Sequence, residues 1–146
     1  MTRLQKWTRM ILVMLMAAAC QFAMAQDVVL VVSRKCNVSS LTQEQVADIF
    51  LGKTSAFPNG ASVIPIDQQE GTGEREAFYH HFIGKTEAQV RTYWSKIVFT
   101  GKGYPPIEVV PPERVKRVIR DNPNYIGYIK RRDVDSSVKV VVVLHP

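Results

Sequence analysis

The chain has 146 residues, with 19 lysines and arginines against 13 aspartates and glutamates, for a formal net charge of +6. Three of those positive charges are Arg3, Lys6 and Arg9, which leaves +3 for the remainder, where basic residues alternate with acids and form no long run. That pattern excludes the basic stripe of a nucleic-acid-binding surface, and the length allows one domain with a modest core.

The N-terminus carries its basic residues first and then an apolar run from Met10 to Ala19, too short to span a bilayer comfortably. It ends in the small-x-small pattern Ala23-Met24-Ala25. Residues 1–25 therefore read as a secretory signal peptide cleaved after Ala25, leaving residues 26–146 as the exported domain with no membrane span of its own. Ala17-Ala18-Ala19 before Cys20 allows a lipoprotein variant, ranked second because a lipid-attachment box wants leucine three residues before the cysteine. After cleavage Cys36 is the one thiol, so no internal disulfide forms and the core must hold the domain.

Val28 to Val32 is a continuous β-branched and aliphatic run, expected as a strand buried on both faces, as in a parallel sheet covered by helices. Thr42-Gln43-Glu44-Gln45 is a capping box, Leu41 and Val46 can staple it, and Val46, Ile49 and Phe50 share a helix face before Gly52. Pro58-Asn59-Gly60 lies in a turn-rich loop that leads to a strand over residues 62–66. The segment Glu70-Gly71-Thr72-Gly73-Glu74-Arg75 opens a second helix, with Phe78 and Phe82 one turn apart and Gly84 as its stop. Thr86-Glu87-Ala88-Gln89 is another capping box, followed by Val90, Tyr93, Trp94, Ile97 and Val98 in the strongest helical periodicity of the chain. A proline-rich loop from Gly101 to Pro112 precedes a helix bearing Val115, Val118 and Ile119, ended by Asn122-Pro123. Residues 125–129 and Val138 to Leu144 read as two further strands, the last buried. Strands alternating with helices predict one three-layer α/β lobe.

Three stretches together resemble the substrate-binding protein family of phosphate ABC importers, which is type II periplasmic-binding-protein-like. They are Val46-Ala47-Asp48-Ile49-Phe50-Leu51-Gly52-Lys53, Glu70-Gly71-Thr72-Gly73-Glu74-Arg75-Glu76-Ala77-Phe78 and Pro123-Asn124-Tyr125-Ile126-Gly127-Tyr128-Ile129. The resemblance implies a mixed, mostly parallel sheet flanked by helices, a periplasmic location, and a single lobe where full members of the family close two lobes over the ligand. It also implies that the glycine turn meets phosphate oxygens.

Glycines between a strand and a helix let successive N–H groups converge at a helix N-terminus, where unpaired donors and the helix dipole favour anions. The turn itself offers Gly71, Thr72 and Gly73 as candidate ligand-binding residues, and the resemblance implies Arg75 and Gln68 as well, with Asp67 beside them. Two departures from the family pattern oppose tight binding: Gln68 stands where the family commonly has arginine, and Glu74 stands where it has a small hydroxyl residue. Glu74 is expected to satisfy the turn's donors itself and to repel phosphate. The alternative reading of the turn, that Thr72 merely caps a helix, stays open.

Other candidates carry less. His80 and His81 are adjacent and point apart on a helix, so no metal is expected there. Cys36 has no histidine partner in its segment, and Tyr93 and Trp94 read as packing residues. Lys130-Arg131-Arg132 reads as a solvated turn. Glu70, Glu74 and Glu76 are the dense carboxylates near the turn, but Glu70 precedes the helix cap while Glu74 and Glu76 diverge on the helix, so a phosphoesterase is disfavoured. The expectation is an exported, non-enzymatic, solute-binding-like protein without cofactor, taking a small oxyanion such as phosphate. Its rival is an interaction module for an envelope protein or a second copy of the chain, with an apolar patch near the Pro105-Pro106 to Pro111-Pro112 loop.

Overall fold

The computed structural model describes residues 27–146; the signal-peptide expectation for residues 1–25 lies outside them. In chain order the elements are β1 (Val28–Ser33), β2 (Ser40–Thr42), α1 (Gln43–Phe50), β3 (Ile64–Asp67), α2 (Gly73–Phe78), a π-helical turn (Tyr79–Ile83), α3 (Glu87–Phe99), β4 (Ile107–Glu108), α4 (Arg114–Asp121), β5 (Tyr125–Lys130), a 3-10 turn (Arg131–Asp133), β6 (Val138–Val140) and β7 (Val142–Leu144).

Five strands form one sheet in the order β4-β3-β5-β1-β6, and β2 with β7 forms a separate parallel pair. β3 pairs parallel with β4 and with β5, whereas β1 pairs antiparallel with both β5 and β6. Four of the five strands therefore share a direction, and β1 is the one that runs against them. This corrects one inference from the sequence: the aliphatic run of β1 does signal burial on both faces, but its own pairing is antiparallel.

The pleat sorts side chains between two cores. Leu30 and Val32 of β1, with Ile126 and Tyr128 of β5, join α1, α2, the π-helical turn and α3 in the larger core. Val29, Val31, Ile66 and Ile129 meet Val115 and Ile119 of α4 in the smaller core on the opposite face. Three layers result, as the sequence predicts. A Cβ at Gly127 would lie 2.6 Å from Ile119 Cδ1, the tip of a fully buried side chain on α4, so a larger residue there would force that side chain to shift.

Both capping boxes form. Thr42 Oγ1 accepts from the Gln45 amide and Gln45 Oε1 from the Thr42 amide, and Thr86 and Gln89 repeat the exchange. α3 docks through Val90 and Trp94, with Trp94 lying over Gly52 and Tyr93 Oη donating to the Leu51 carbonyl at 2.7 Å. Gly52 has φ 68°, so it both ends the α1 segment and leaves room for the indole. The periodicity of α3 overstates its burial, because Val98 is 47% exposed and Phe99 92%. The closing apolar run is also not one buried strand. After Val141 the chain leaves β1 for β2, so that Val142 and Leu144 are exposed.

Candidate functional site

The turn of interest follows the C-terminal end of β3, the end at which parallel strands of an open α/β sheet commonly present ligands. Gly71 takes φ 90°, a conformation that only glycine adopts without strain. Thr72 then caps α2: its Oγ1 accepts from the Arg75 amide at 3.4 Å and donates to the Gln69 carbonyl at 2.9 Å. The predicted cap is thus real.

Arg75 leans back from α2 under the turn, with only 11% of its side chain exposed. Its Nε donates to Asp67 Oδ2 at 3.2 Å, its Nη1 donates to Glu87 Oε1 at 2.9 Å, and its Cζ lies 4.9 Å from the Tyr79 ring centroid. Burial alone pulls the guanidinium pKa down, but the Asp67 charge and the Glu87 hydrogen bond outweigh it and hold Arg75 charged more firmly than usual. Asp67 is itself saturated. Oδ2 accepts from Tyr79 Oη at 2.8 Å, and Oδ1 accepts from the Gln68 amide at 2.8 Å and from Tyr128 Oη. Burial, reinforced by the Asp67 carboxylate, pushes both tyrosine hydroxyls well above the ordinary 10.0.

Gln68 is 2% exposed and packs inward, its Nε2 donating to the Tyr128 carbonyl at 2.9 Å. Its Oε1 is buried with no partner. Of the candidate residues, Gly71, Thr72, Gly73 and Arg75 gather at one turn, while Gln68 belongs to the buried layer beneath it.

Glu74 turns its carboxylate mainly to a residue outside the turn. Its carboxylate goes to Lys130 Nζ at 2.6 Å; burial raises its pKa, but the ammonium more than compensates and the net pKa falls below 4.5. The residue that satisfies the turn is Glu87, from the first turn of α3. Glu87 Oε1 accepts from the Gly71 amide at 3.2 Å as well as from Arg75 Nη1 at 2.9 Å. One carboxylate oxygen thus sits where a backbone N–H and a guanidinium converge. The sequence marks Glu87 only as a member of a capping box; nothing local pairs it with residues 12 and 16 positions earlier.

The other two glutamates near the turn are held apart from it. Glu70 pairs with Arg91, and Glu76 is exposed on α2. Lys130 and Arg131 of the basic cluster are engaged by Glu74 and Asp27. Among the described residues no three histidine, cysteine, aspartate or glutamate side chains gather to hold a metal ion.

No family model matches the sequence, and no curated protein matches it. Solved structures match its fold. A protein from Clostridium perfringens described as a phosphate ABC transporter substrate-binding protein, solved with bound phosphate, superposes on 80% of this chain with TM-score 0.65 and 24% identity. The chain has the fold of a phosphate-type substrate-binding protein. An ABC-type phosphate transport receptor from Vibrio cholerae gives TM-score 0.62 at 20% identity, and PstS from Borrelia burgdorferi 0.60 at 15%. The matched region is 44%, 46% and 47% of those three chains, so this substrate-binding-protein fold spans less than half of each relative's length.

Proposed function

We propose that this protein is an exported, non-catalytic binding protein of the periplasm, solute-binding-like, that recognises a small oxyanion such as phosphate at the Gly71 to Arg75 turn. The observation that carries this reading is the convergence of the Gly71 amide and Arg75 Nη1 on a single carboxylate oxygen. A site that already holds an oxyanion oxygen of its own chain has the donors for one from solution. The bound phosphate in the Clostridium perfringens relative supports the ligand class. Affinity is expected to be low, because a module of this size surrounds one side of a ligand and Glu87 competes for the same donors.

Isothermal titration of residues 26–146 with phosphate, sulfate and acetate is the test. Weak binding that falls in Thr72→Ala, which loosens the turn, and in Arg75→Lys, which removes the fork, supports the reading. Equal heats in all three proteins would place any binding elsewhere.

A second reading, an interaction module, is favoured by a different observation. Phe99, Tyr104, Ile107 and Val110 are 92%, 86%, 49% and 45% exposed, around the proline-rich loop. A photo-crosslinking residue at position 104 tests it in cells: a discrete adduct supports an envelope partner or a second copy, and no adduct removes the support.

A further inference from the structure

We propose that Glu87 is a displaceable internal ligand, an autoinhibitory contact that keeps the oxyanion turn closed until an external anion or a change in α3 removes it. The inference rests on the oxyanion reading above and adds a residue that the fold alone does not assign.

Charge is the first argument. Arg75 contributes one positive charge, whereas Asp67 and Glu87, both bonded to it, contribute two negative ones. With Glu87 in place the cluster is net negative, and an arriving anion meets repulsion as well as occupied donors. With Glu87 withdrawn, the cluster is neutral and the Gly71 amide and Arg75 Nη1 both lack a partner. The Gly71 amide is open to solvent, but the Arg75 side chain is only 11% exposed, so its vacated, charged donor favours a replacement oxyanion.

Mechanics is the second. Asp67 is clamped by two tyrosine hydroxyls, a backbone amide and Arg75, so it does not leave. Glu87 has no comparable hold. Its side chain is 20% exposed and lies in the first turn of α3. α3 is fixed further along by Val90, Tyr93 and Trp94, and its cap is made by Thr86 and Gln89 without the Glu87 side chain. Glu87 can therefore rotate out while α3 stays docked. The exposed ion pair of Arg91 with Glu70 bridges the same gap between α3 and the turn.

The test is titration of wild type, Glu87→Gln, Glu87→Ala and, as a control in the first turn of α1, Glu44→Ala, with inorganic phosphate and with acetate, each protein checked for folding by circular dichroism. The expected order of affinity is Glu87→Ala above Glu87→Gln above wild type, with at least about a tenfold gain for alanine and no change for Glu44→Ala. Gain with phosphate alone selects phosphate as the ligand chemistry, and gain with both selects oxyanions generally. Wild type binding as well as a folded Glu87→Ala would overturn the gate and leave the oxyanion reading standing. A folded Glu87→Ala that binds neither anion would overturn both.

Discussion

Asp67 is the residue on which the polar interior depends. A buried carboxylate is tolerated only when its lone pairs are filled, and here Tyr79, Tyr128, Arg75 and the Gln68 amide fill them. The two tyrosines bring a pH dependence with them. Because their folded pKa values lie above 10.0, the unfolded chain loses these protons first as pH rises, and native stability falls above about pH 10. Two such groups give a slope of about 2.7 kcal/mol per pH unit. Denaturant titrations between pH 9 and 11 check this, and Tyr128→Phe is expected to halve the slope while costing about 1–3 kcal/mol at neutral pH, because the buried Asp67 Oδ1 keeps the Gln68 amide but loses its hydroxyl donor. At this scale the sequence is legible wherever the partner is three or four positions away. Thr42 with Gln45, Thr72 with Arg75 and Thr86 with Gln89 are examples. Glu87 with Gly71 is not legible, because the contact exists only after α3 packs back beside α2.

At the scale of elements, the closest fit is β5 against α4. Gly127→Ala would drive a Cβ into Ile119, and the expected loss is about 1–3 kcal/mol, read as a lower denaturation midpoint with an unchanged slope. A companion change Ile119→Val, which withdraws the Cδ1 methyl, is expected to recover part of it. The starts of α1, α2 and α3 were legible from their caps and β1 from its aliphatic run, whereas α4 begins at Arg114 without a side-chain cap. The strand directions were not, because burial on both faces looks the same in a central strand whichever way its neighbours run. The run from Val138 to Leu144 misleads for a related reason: hydrophobicity records that a segment can pair, not which partner it takes, and the chain changes partner at Val141.

At the scale of the molecule, two cores on opposite faces of one sheet make the α4 side and the α1 to α3 side separable in principle, with the β2 and β7 pair as an appendage of the larger core. Removing residues 142–146 is expected to raise amide exchange in Ser40–Thr42 while the β1 and β5 amides stay protected. Equal loss of protection in β1 would show that the appendage is integral to the main sheet. By itself the sequence determined the three-layer class, the starts of α1, α2 and α3 and the Gly71-Thr72-Gly73 turn, because caps, glycines and hydrophobic periods act over a few residues. Only the tertiary structure decided that β1 runs against its neighbours, that Glu74 turns to Lys130, and that Glu87 occupies the donors of the turn. Each of those depends on which distant groups the packed sheet and α3 bring within hydrogen-bonding distance.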